Sequence, residues 1–171
     1  MLYRKSKYKI PYILNYKLIC LEKNMEKSIF KILLILLSIS IFATSLTFDA
    51  FSYEYQGVQM QSSLACFLMG SIAILGGGLL ERLIWLANPL CLISIFCLIM
   101  DKPVATKFNI VAVILAISFY SWNSILASES GTSGKILSIK YGYFIWLGSI
   151  ITLTIGTYWY FKRYREIRYT D

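Results

Sequence analysis

Glu81 and Arg82 are the only charged residues between positions 64 and 100, and Asn88–Pro89 follows them in the same apolar run. An ionisable side chain is costly in a hydrocarbon-spanning helix, so where one is kept it marks a polar pocket, an ion path or a proton relay. Helical steps of four, three and four place Glu81, Trp85, Asn88 and Leu92 on one stripe, which should face a helix bundle rather than lipid. Glu81, Arg82 and Asn88 are therefore the candidate polar intramembrane site. The plainer alternative is a charge pair snorkelling near an interface and an Asn that caps a proline kink. Adjacent residues point in different directions around a helix, so Glu81 and Arg82 are not natural partners for each other.

Other chemistry finds little support. There is no histidine, which excludes His-based triads, His metal clusters and His proton relays. Cys20, Cys66, Cys91 and Cys97 lack C-x-x-C spacing, and the last three fall in apolar stretches where a thiol is usually inert filler. The glycine-rich run at 70–78 lacks the Lys-Ser/Thr of a phosphate loop. Asp49, Glu54, Glu81, Asp101 and Glu129 form no i, i+3 or i, i+4 pair. The sequence thus predicts no enzyme, no catalytic residue, no cofactor and no metal. The net charge of +8 resides mostly in the two termini and does not imply nucleic-acid binding.

The elements that must position these residues follow from patterning. The chain is 57% hydrophobic and 15% charged, with a mean hydropathy of +0.62. A soluble domain carries about a quarter charged residues and spreads its apolar ones at helical or strand period. Here they form blocks. Residues 28–47 carry only Lys31, and 108–127 and 141–161 carry no charge at all. A helix needs ~20 apolar residues to cross the hydrocarbon layer. The fold expected is an all-α polytopic transmembrane bundle, with its first span uncleaved rather than a signal peptide.

Topology follows from Lys and Arg, which collect in short cytoplasmic loops. The stretch 48–63 has none, so it reads as an outer loop, whereas the tail 162–171 carries Lys162, Arg163, Arg165 and Arg168 and reads as cytoplasmic. The block 64–100 is too long for one straight crossing. Residues 62–78 are expected to form a short or re-entrant helix broken at Gly76, Gly77 and Gly78, and 79–100 the crossing proper, kinked at Pro89. Four net crossings then put Lys27, Lys31, Lys102, Lys107, Lys162, Arg163, Arg165 and Arg168 inside, against Lys135 and Lys140 outside. The alternative is five transmembrane helices with a cytoplasmic turn at Glu81–Arg82.

Residues 1–27 are a basic N-terminal segment. Positions 1–24 read either as leader from a start codon assigned too early, since Met25 opens a second basic-then-apolar stretch, or as a cytoplasmic extension lying on anionic headgroups. In the last span Gly148, Thr152 and Gly156 recur every four residues, a ridge for close helix packing, and Ala112 and Ala116 do the same more weakly. Aromatics at 48–55, 141–146 and 158–161 read as interfacial anchors.

The run from Gly70 to Phe96, with Trp85-Leu86-Ala87-Asn88-Pro89 at its centre, resembles a W-L-A-N-P-L signature of small uncharacterised bacterial inner-membrane proteins. Gly142-Tyr143, Trp146-Leu147 and Ser149 match the opening of their last span. The resemblance spans roughly 28–161 and implies a bacterial cytoplasmic membrane and about four spans, with no activity attached. Two functional readings remain open. One is a non-catalytic accessory or interaction protein, whose partners are the lipid bilayer and a membrane protein or a second copy. The other is a small transporter or channel subunit with its polar site at Glu81, Arg82 and Asn88.

Overall fold

A computed structural model describes residues 9–127 and 132–164. Helix α1 (Lys9–Ser45) leads into strands β1 (Asp49–Glu54) and β2 (Val58–Ser62), then a short helix α2 (Ser63–Met69). Helices α3 (Leu79–Trp85), α4 (Ala87–Ile99) and α5 (Ala105–Ser118) follow, then strands β3 (Ser124–Leu126) and β4 (Ser133–Ile139), and the last helix α6 (Tyr141–Tyr164).

Three stretches among the described residues are helical, long and apolar enough to cross a membrane: Leu21–Ser45, Leu79–Ile99 and Tyr141–Tyr164. A shorter apolar helical stretch covers Ala105–Ser121. Their outward faces are exposed and apolar, with Leu33, Leu37, Leu92, Phe96, Ile114, Ile155 and Trp159 standing free of any packing partner's cover. In water such faces would drive aggregation; in a hydrocarbon layer they are the correct surface.

The all-α expectation does not hold. The stretches 48–63 and 124–139 both form hairpin-like pairs, and they join into one antiparallel sheet in the order β2-β1-β4-β3. Ala50, Phe51 and Ser52 are buried where β1 lies on the bundle, and positive φ at Gln56 (52°) and Gly57 (117°) supplies the tight turn into β2. Ser52 faces both Met60 and Ser138, and its Oγ lies 2.7 Å from the Ser138 Oγ. One consequence is that the predicted helix over 108–127 stops early: Phe119–Ser121 tightens to a 3-10 turn and Ser124–Leu126 is strand.

The broken stretch is explained by its glycines. α2 is capped by Ser62, whose side chain accepts from the Ala65 N–H at 3.2 Å, and is only seven residues long. A single 3-10 turn, Ala73–Gly76, follows, and Gly77 then takes φ 87°, a left-handed conformation that costs a side-chain-bearing residue ~1–2 kcal/mol. Neither piece of 62–78 is long enough to cross a membrane. Lower down, Pro89 has no N–H for the Trp85 carbonyl, and the helix breaks at Leu86, between α3 and α4.

The bundle core is built from small and polar contacts as much as from large apolar ones. A Cβ on Gly156 would collide with the Leu34 side chain of α1, so this glycine is what lets α1 and α6 approach. Thr152 instead bonds back to the Gly148 carbonyl at 2.8 Å, and a Cβ on Gly148 would meet nothing within 4 Å, so the expected ridge is used at one end only. Ala112 and Ala116 of α5 are fully buried with Ala87 and Ile150. Buried polar groups pair between helices: Ser38 Oγ donates to the Ser149 carbonyl at 3.1 Å, Ser94 Oγ to the Ala105 carbonyl at 3.0 Å, and Asn109 Nδ2 to Thr157 Oγ1 at 3.1 Å. Three of the expected interfacial aromatics, Phe51, Tyr143 and Tyr160, are buried instead, each packed into a cluster of rings. Of the basic segments, residues 1–8, Arg165 and Arg168 lie outside the described residues.

Candidate functional site

Where the sheet, α2 and the 3-10 turn lie over the helix ends, they border a half-open cavity of about 840 Å³. That is within the ~300–1,000 Å³ of small-molecule sites. Its wall comes from every part of the cap: Phe42 and Leu46 at the end of α1, Phe51 and Tyr53 of β1, Cys66 and Phe67 of α2, Ile125 and Leu126 of β3, and Tyr143 and Trp146 at the start of α6.

Glu81 and Asn88 both line it. Glu81 sits in the first turn of α3, and its Oε1 accepts the Leu126 N–H at 2.8 Å. That bond satisfies a backbone donor of β3 and ties the sheet to the broken helix. Asn88 Oδ1 accepts from the Trp146 indole N–H at 2.9 Å, joining α4 to α6. Trp85 lies between them in sequence and also faces the cavity, its indole N–H donating to the Phe67 carbonyl at 2.8 Å. Gly70 permits that contact, because a Cβ there would run into the Trp85 ring and would stand 2.7 Å from the Cys66 carbonyl oxygen.

Two expected members of the site are elsewhere. Arg82 is not in the lining; its guanidinium stands 5.0 Å from the centre of the Trp85 ring, a cation–π contact one turn along α3. Leu92, expected on the same stripe, is 65% exposed and lies outside the lining, whereas Glu81, Trp85 and Asn88 all belong to it. Gly76 lines the cavity, whereas Gly77 and Gly78 shape the turn beside it.

The sequence reading omits the other half of the wall. Ser63 is buried and belongs to the lining, and its enclosed Oγ has no hydrogen-bond partner among the described residues. Gly142 makes room for it: a Cβ there would strike the Ser63 hydroxyl and stand 2.6 Å from the Asp49 carbonyl oxygen. Tyr143 reaches across to donate to the Ala116 carbonyl at 3.0 Å. The available signal was a Ser directly after a strand and a Gly-Tyr pair opening a helix, which is common enough to say nothing without the fold.

Glu81 is, among the described residues, the one charged residue in the wall. Among the described residues it forms no ion pair, and no group of three or more metal-ligating side chains occurs anywhere. Trp146, which lines the cavity, and Leu147 pack on the buried cluster of Ala87, Ala112, Ala116 and Ile150. No family model, curated protein or solved structure matches the chain.

Proposed function

We propose that this chain is a non-catalytic integral protein of a bacterial cytoplasmic membrane that crosses the bilayer four times, keeps both ends cytoplasmic, and serves as an accessory or interaction protein by holding an amphipathic molecule in the cavity under its outer cap. The observation that carries this reading is the wall of that cavity: apolar and aromatic over most of its area, with a few polar groups at Glu81, Asn88 and Ser63. Such a lining suits a ligand with one polar end. A lone carboxylate already engaged with the Leu126 amide is a poor general acid or base, since nothing beside it completes a proton relay. Transport has less support, because the residues packed with Trp146 form an apolar cluster of Ala87, Ala112, Ala116 and Ile150 rather than a polar-lined path.

The crossings rest on the alternation of α1, α3–α4, α5 and α6 between the capped end and the end that gathers Lys31, Asp101 and Tyr160. The segment Ala105–Ser121 supplies the fourth, at the short end of the ~17–25 residues that span a bilayer. Reporter fusions at position 104 and at the carboxy terminus should both register as cytoplasmic; a periplasmic result at either discards the topology. For the ligand, protein extracted in mild detergent should carry bound amphiphile detectable by native mass spectrometry. Gly76→Phe puts a ring into the cavity from a position whose Cβ would meet only the Leu126 side chain, at 3.7 Å, so it should empty the site while preserving the fold. Equal amphiphile occupancy in the two proteins would discard the cavity as its seat.

A further inference from the structure

Building on that reading, we infer that the cavity takes a membrane lipid with an ammonium headgroup, held by the Glu81 carboxylate and the aromatic wall around it. Three independent features point there. First, the charge in the wall is negative and unmatched: Glu81 spends Oε1 on the Leu126 amide, and Oε2 has no hydrogen-bond partner among the described residues. A carboxylate with an oxygen still open to accept makes a strong, charge-assisted hydrogen bond to a ligand's ammonium group. Second, the side chains of Phe51, Tyr53, Trp85, Phe119, Tyr143 and Trp146 all contribute to the same lining, and aromatic rings attract ammonium groups. Arg82 on the Trp85 ring is the same attraction made within the chain.

Third, most of the lining is apolar, which suits an acyl tail. An ammonium group joined to an apolar tail describes an aminolipid rather than a free amine. The lipid source is favoured by the mouth. Met69, Ile72 and Leu75 are lining residues that are also well exposed, so the cavity opens past apolar side chains. A soluble cation would have to pass them, whereas a lipid can leave its acyl chains among them.

The test uses the full chain in detergent and three lyso-phospholipids that differ only in headgroup: ethanolamine, N-acetylethanolamine and glycerol. The ethanolamine lipid should bind at least tenfold tighter than the other two, and free ethanolamine should not displace it at equal concentration. Glu81→Gln keeps an acceptor for the Leu126 amide and should bring the three affinities within about twofold. Equal affinities in the unaltered protein, or a preference that survives Glu81→Gln, overturns the ammonium assignment and leaves amphiphile binding standing. Displacement by equimolar free ethanolamine overturns the lipid source. If none of the three binds, and Gly76→Phe behaves as the unaltered protein does, the proposed function falls with the inference.

Discussion

Asp101 is the carboxylate whose chemistry is fully occupied, at the end of the bundle opposite Glu81. It follows α4 in the left-handed region, φ 57°, with the Lys102 N–H on the Cys97 carbonyl at 2.8 Å and its own N–H on the Leu98 carbonyl at 3.1 Å. That is a helix stop normally given to glycine. An aspartate stands here because its side chain is needed: Lys27 and Lys31 each lie 3.2 Å from it, and the Tyr160 hydroxyl donates to it. Partial burial pushes the carboxyl up, but the hydrogen bonds from Tyr160, Lys31 and Lys27 and the attraction of Lys27 outweigh it and hold it below its ordinary value of 3.8. A depressed value in the folded chain means that these contacts stabilise fully above that ordinary value, and that the stabilisation is lost as pH falls through the lowered one. Asp101→Asn tolerates the same φ and should lower the thermal midpoint at pH 7, with the gap to the unaltered protein closing in strong acid. Scanning unfolding in detergent at both pH values checks this. Glu81 and Asn88 can be singled out from the sequence because a polar group in an apolar run is conspicuous. Arg82 is just as conspicuous and stands outside the wall. What separates Arg82 from Glu81 is the direction each takes from α3, and which direction meets the cavity depends on where α2 and α6 come to lie.

At the level of elements, glycine and proline act on their own backbone, which is why the breaks near 77 and 86 are legible before any packing is known. Gly77 and Gly76 separate the two roles that a glycine can have. Gly77→Ala places a Cβ at φ 87° and should cost ~1–2 kcal/mol. Gly76→Ala has ordinary φ and only an ordinary contact to make, so it should be near neutral. Comparing the two midpoints in denaturant titrations tests whether the turn, rather than the mere presence of three glycines, is what the chain requires. The strands were also written in the sequence, as the alternation of Phe51, Ser52, Tyr53 and Glu54 and the Gln56–Gly57 turn. A reading that counts only charge sees an outer loop there. Alternation confined to Phe51–Glu54 is faint beside 20-residue apolar blocks, and β3 at three residues has almost no pattern to show.

For the whole molecule, the sheet is what makes one object of two halves. β1 and β2 belong to the segment after α1, β3 and β4 to the segment before α6, and the only ladder between them is β1 with β4. Replacing Ser52 and Ser138 together, as Ser52→Cys with Ser138→Cys, should give a spontaneous disulfide across that ladder, since their hydroxyls already lie 2.7 Å apart. A faster-migrating band on non-reducing gels, absent from either single variant, is the expected result. Because β4 lies 86 residues beyond its partner in β1, the ribosome finishes three of the four proposed crossings before the roof has a second half to pair with. Until then β1 offers an open edge and the greasy hollow under it has no lid on that side. A nascent chain at that stage should need shelter from an insertase or a chaperone, and a lipid that slips in early could be sealed into place by the final strand rather than admitted through a finished door.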